Sequence, residues 1–181
     1  MKKLYKRLCI ISIVIIILTI WVIGRYNHIV NDNNIIGIEG EEVYFKTPPL
    51  GIRIKKGKPD KKGINTEAGN KYYLYENQNI FGCKGDIRYF YDNDGVDAVN
   101  VRLYPDYVER RDKLEYVCEY MKGIYSQREY FYDDGVREDY LGREIYRFGV
   151  SGDQSRIGVE IYGSDTIHGY YCINIECYYS N

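Results

Sequence analysis

Seventeen consecutive residues without a charge, LCIISIVIIILTIWVIG from Leu8 to Gly24, constrain this chain more than any other feature. A helix of that length spans about 26 Å at about 1.5 Å per residue, enough to cross a hydrocarbon core. Lys2, Lys3, Lys6 and Arg7 precede the run, and only Arg25 follows it closely. The positive-inside bias then predicts a single-pass plasma-membrane protein. Residues 1–24 would be its signal-anchor transmembrane helix, with the N-terminus cytoplasmic and the rest extracytoplasmic. Trp21 and Tyr26 fall where an interfacial aromatic belt would lie. The alternative is a signal peptide cleaved near Gly24, which would release the domain. The apolar run is longer than a usual signal core of about 7–15 residues, which favours the anchor. Cys9 lies at the start of the run, whereas a lipoprotein cysteine must follow it.

All 26 acidic residues lie after residue 24, with 21 of the 25 basic ones, so this portion carries a net charge of −5. That balance argues against nucleic acid as a partner. One stretch runs the other way, RIKKGKPDKKG from Arg53 to Gly63. It reads as a solvated loop whose Arg53, Lys55, Lys56, Lys58, Lys61 and Lys62 are candidates for contact with an anionic polymer or lipid.

Residues 25–34, RYNHIVNDNN, read as a polar tether, and 35–181 as one extracytoplasmic domain. EEVYF and LGIRI look extended around Pro48-Pro49. Lys56–Lys71 has no apolar period and reads as loop. Beyond it YYLYE, DIRYFY and VDAVNVRLY read as strands. In the last, Val99, Val101 and Leu103 alternate with Asn100, Arg102 and Tyr104. A helix is predicted from Asp106 to Lys122. Leu114, Val117, Cys118 and Met121 form its apolar stripe, Asp106 its cap and Gly123 its stop. QREYFY, REIYRFGV, SRIGVEIY and GYYCINIECYY follow as strands, with Ile157, Val159, Ile161, Ile173, Ile175 and Cys177 inward. The predicted class is α+β: a transmembrane helix, then one antiparallel sheet of about six strands packed on one main helix.

The segment YFYDNDGV (Tyr89–Val96) returns as YFYDDGV (Tyr130–Val136), and both copies read as a strand closing into a turn. An EF-hand fails on spacing, because Phe90 and Val101 would occupy its first and last ligand positions. A looser calcium site of Asp92, Asp94 and Asp97 is an alternative. No motif for a cofactor or a metal site is present. Cys83, Cys118, Cys172 and Cys177 allow three disulfide pairings, although Cys118 and Cys177 fall on core faces. His168 with Cys172 is the one nucleophile pair available to an enzyme, ranked behind non-catalytic readings.

Tyrosine numbers 22 against 5 Phe and 1 Trp. Strand parity turns Phe90, Tyr104, Tyr162, Tyr170 and Tyr178 away from the aliphatic set, with Arg88, Arg102 and Glu160 among them. Such a face suits protein recognition, because rigid amphipathic rings bury area at low entropic cost.

Gly57-Lys58-Pro59, then KYYLYEN, then FGCKGDIRYFYDNDGVDAVNV resemble the β-lactamase-inhibitor-protein and outer-membrane small-lipoprotein domains of small exported bacterial proteins. The likeness covers about residues 47–104. It implies short helices on an antiparallel sheet whose open face binds proteins without catalysis, and it transfers no individual functional residue. The helix that this pattern carries before G-K-P is not visible in TPPLGIRIKK. The expected function is a membrane-anchored, non-catalytic module binding a protein or envelope component, with a structural envelope tether as the alternative.

Overall fold

A computed structural model describes residues 11–18, 35–66, 68–152, 156–165 and 171–180. Contacts divide the chain into two units, residues 1–35 and 36–181. In the first, residues 11–18 form a helix, α1. Among the described residues no helix is long and apolar enough to cross a membrane. This corrects the expected anchor over residues 1–24, and with it the single-pass plasma-membrane location. Residues 8–10 and 19–24 of the expected span, the cleavage site near Gly24 and the tether at 25–34 lie outside the described residues.

The second unit holds helices α2 (Pro49–Lys56) and α3 (Arg110–Tyr125) and eight strands. These are β1 (Lys61–Ile64), β2 (Lys71–Ile80), β3 (Cys83–Asp92), β4 (Gly95–Tyr104), β5 (Phe131–Glu138), β6 (Glu144–Ser151), β7 (Arg156–Asp165) and β8 (Tyr171–Ser180). All lie in one sheet of order β1-β2-β3-β4-β8-β7-β6-β5, antiparallel at every pairing. The topology is a helix and a four-strand meander, made twice and joined where β4 meets β8.

The expected class of about six strands on one main helix is therefore corrected to eight strands with two helices in this unit. The strand that sequence reading missed, β1, is KKGI, whose residues are exposed or half-buried. An edge strand with nothing to bury has no apolar alternation to read.

Helix α2 is the second correction, replacing the extended conformation expected for LGIRI. Pro48 is extended, with ψ 156°, as a residue before proline should be. Pro49 then opens the helix, where its missing N–H costs nothing. Gly57, with φ 81°, closes it and donates its N–H to the Arg53 carbonyl at 2.9 Å.

Helix α3 buries Leu114, Val117, Cys118, Met121 and Tyr125. It starts four residues later than predicted and runs through Gly123 to Tyr125. Tertiary contact carries that last turn, because the buried Tyr125 hydroxyl donates to the Ile36 carbonyl at 2.8 Å. The stripe lies on the sheet face formed by Ile87, Tyr89, Val99, Val101, Leu103, Phe148, Ile157, Val159, Ile161, Ile173, Ile175 and Cys177. Ile36, Ile38, Val43 and Phe45, from the loop before α2, complete this core. That loop is pinned to the start of β4. Lys46 N–H donates to Val96 O at 2.8 Å, and Val96 N–H donates to Thr47 O at 3.0 Å.

The two echoing segments are not the same turn. In both, an aspartate accepts the N–H two residues on. Asp92 Oδ1 takes Asp94 N–H at 2.8 Å, and Asp133 Oδ1 takes Gly135 N–H at 3.0 Å. The first segment reverses the chain between β3 and β4. The second lies inside β5, where the register slips between Asp133 and Gly135 and leaves a bulge.

Candidate binding face

The core lies on one side of the sheet. Neither helix of this unit packs on the other side, where the outward positions of seven strands form an open face. Its first row can be followed through the registers. Tyr72 faces Phe90, Phe90 faces Ala98, and Ala98 faces Tyr178. Tyr178 faces Gly158, Gly158 faces Gly149, and Gly149 faces Tyr132. Aromatic and small residues share this row because the rings lean over the glycines. A β-carbon at Gly158 would clash with the phenol end of Tyr178, 2.1 Å from its Cζ, and one at Gly149 would touch the Tyr132 hydroxyl at 2.8 Å. Rings seated this way lose little further freedom on binding.

A second row is charged. Arg88 faces Asn100, which faces Glu176, Glu160 and then Arg147 across successive strands. Two carboxylates directly opposite each other repel, and each has its own partner. Arg147 pairs with Glu160 at 2.8 Å, and the Tyr162 hydroxyl donates to Glu176 at 2.7 Å. Tyr104 does the same for Asp86, donating at 2.8 Å. Burial first, and then the Asp86 hydrogen bond, push the Tyr104 phenol up to about 12. Burial and Glu176 raise Tyr162 likewise. Both phenols therefore stay protonated and remain donors at neutral pH.

No known family, curated protein or solved structure matches this chain.

Of the predicted contact residues, Phe90 and Tyr178 share the aromatic row. Tyr162 and Tyr104 stand on the same face but hold carboxylates, and Tyr170 lies outside the described residues. Tyr72 and Tyr132 stand in the aromatic row but are absent from the predicted set. The alternation of Tyr72 and Leu74 against Tyr73 and Tyr75 in KYYLYEN carried a signal for the first. Tyr132 had none, because β5 has no buried position.

The basic stretch is not a loop. Arg53, Lys55 and Lys56 form the last turn of α2, Lys58 links, and Lys61 and Lys62 begin β1. Lys56 pairs with Glu41 at 3.2 Å and Lys61 with Glu76 at 2.6 Å, while Lys55 donates to the Glu42 carbonyl. The remaining cations, Arg53, Lys58 and Lys62, are exposed.

Cys83, Cys118, Cys172 and Cys177 are all free thiols, three of them buried. Burial pushes Cys118 up to about 12, far from a reactive thiolate. Cys172, on the open face, lies 3.3 Å from Ser164 Oγ, and His168 lies outside the described residues. Asp97, of the calcium alternative, accepts from Asn70 at 2.6 Å. No group of three or more potential metal ligands occurs among the described residues.

Proposed function

We propose that residues 36–181 form a non-catalytic binding module that engages another protein through the open sheet face. One observation carries this reading. Helices α2 and α3 and the 36–47 loop contribute to a single core on one side, leaving the row of Tyr72, Phe90, Tyr178 and Tyr132 without a covering layer among the described residues of this unit. A sheet normally buries its apolar face against another layer. Pre-seated rings flanked by arginines are the composition of interface hot spots, each worth about 2 kcal/mol or more. The basic stretch has weaker support as a contact for anionic polymer, because half its cations are already held by the domain's own groups.

A photo-crosslinking residue placed at Tyr178 or Tyr72 in the full chain, in its native cells, tests the proposal. The expected result is one discrete protein adduct from both positions and none from Tyr116, which is 42% exposed on α3 on the opposite side. Equal labelling from Tyr116, or no adduct from either face position, defeats it.

A further inference from the structure

We infer that Arg88 and Arg102 form a two-point receptor for an extended acidic segment of the partner. This rests on the binding-module reading above. Arg88 on β3 is stacked against two rings, its guanidinium carbon 4.9 Å from the Tyr72 centroid and 5.8 Å from that of Phe90. Its Nε is buried without a hydrogen-bond partner. Arg102 on β4 is exposed and fixed at one end, where its Nε donates to Asn174 Oδ1 at 3.2 Å. Neither guanidinium forms an ion pair among the described residues.

Acids stand nearby, and what keeps them from pairing is specific. Asp86 is the direct cross-strand partner of Arg102, but its two oxygens accept Asn77 N–H at 3.1 Å and the Tyr104 hydroxyl at 2.8 Å. Glu176, next to Arg102 on β8, accepts the Tyr162 hydroxyl. Glu160 is paired with Arg147. Tyr104 and Tyr162 thus each occupy an oxygen of a neighbouring carboxylate, and the two forks carry no ion pair among the described residues. A planar fork held by ring stacking recognises a carboxylate with little ordering cost.

The spacing selects the ligand. Arg88 faces Asn100 and Arg102 faces Asp86, so the two arginines are diagonal neighbours, about 7–8 Å apart at the backbone. Alternate residues of an extended chain are about 7 Å apart on one face. A segment with acids at positions i and i+2 therefore places one carboxylate on each fork. The net negative charge of the chain beyond residue 24 disfavours long polyanions and restricts the site to a short acidic stretch.

The probe is a fluorescent ten-residue peptide of alternating Glu and Thr, with a Gln/Thr peptide as control, titrated against the full chain. The Glu peptide is expected to bind at least about tenfold more tightly than the Gln peptide. Arg88→Ala and Arg102→Ala are each expected to weaken it by about tenfold, the scale of one charge-assisted hydrogen bond, and Lys62→Ala is expected to leave it unchanged. If an alanine variant misfolds, the Arg88 Nε–Hε NMR signal of the unmodified protein decides. It is expected to move with the Glu peptide and not with the Gln peptide. Equal binding of both peptides, indifference to both arginines, or displacement by inorganic phosphate at the same concentration overturns the inference. Those results combined with an intact Tyr178 crosslink leave the binding module standing. Loss of the crosslink itself removes both.

Discussion

Glycine in this sheet works as a seat for tyrosine, and the seats are not equivalent. The atoms nearest a β-carbon at Gly158 all belong to the Tyr178 side chain, whereas the nearest to one at Gly149 is the backbone carbonyl of Ile157. A ring tip can swing aside, but a strand backbone cannot. Gly149→Ala is therefore expected to destabilise by about 1–3 kcal/mol, with no recovery in a Tyr132→Ala background. Gly158→Ala is expected to cost less and to be relieved by Tyr178→Ala. Urea unfolding of the four variants checks both statements. Gly95 belongs with Gly149, since its φ of 109° and the Lys46 carbonyl against it leave no room for a side chain. None of these pairings was readable in the sequence. Glycine there signals a turn, and Gly158 meets Tyr178 only once two strands are in register. The alternation of Val99, Val101 and Leu103 was readable, because one buried face imposes a period of two on a single strand.

Single elements show the same division. The stripe of α3 could be read because Leu114, Val117, Cys118 and Met121 repeat on one helical face. Met121 is fully buried, and Met121→Ala is expected to cost about 2–5 kcal/mol in thermal or urea unfolding. The end of α3 could not be read, since its last turn is held by the Tyr125 bond to Ile36, 89 positions away. Tyr125→Phe, which removes that donor, is expected to cost about 1–3 kcal/mol. At the same end, Lys122 pairs with Asp133 of β5. That hydrogen bond is the main cause holding the Asp133 carboxyl below the ordinary carboxylate range. A depressed value means the ionised form stabilises the fold. The contribution is full above the unfolded pKa of about 4 and disappears as pH falls through the folded value. The stability gap between the parent and Asp133→Asn is expected to stay below about 1 kcal/mol at pH 7, because the pair is near the surface. It should begin to shrink in unfolding curves as pH falls below about 4, and close once pH is below the depressed folded value. Helix α2 escaped reading because Ile52 is its one buried residue, too little to set a period.

At the scale of the whole molecule, the seam between β4 and β8 decides how the unit behaves. Val99, Val101 and Leu103 face Cys177, Ile175 and Ile173 across it, and all six are buried. Neither meander can close the core alone. A fragment ending at Tyr104 is expected to lack the folded circular-dichroism signal, and the intact unit to unfold in one transition seen alike by circular dichroism and tyrosine fluorescence. The strand order itself was beyond sequence reading, because it depends on which of several similar strands meet across that seam. The two outer strands have a different role. β1 is four residues long and carries Lys61 and Lys62. β5 is twice that length, and a long free edge is a template for another copy of the chain. The extra residue at Asp134 interrupts its ladder and turns the unsatisfied groups out of line. Removing Asp134 should straighten that edge, and sedimentation velocity should then show oligomers that grow with concentration beyond anything in the parent. On that expectation the second aspartate-rich echo would serve as a brake on polymerisation.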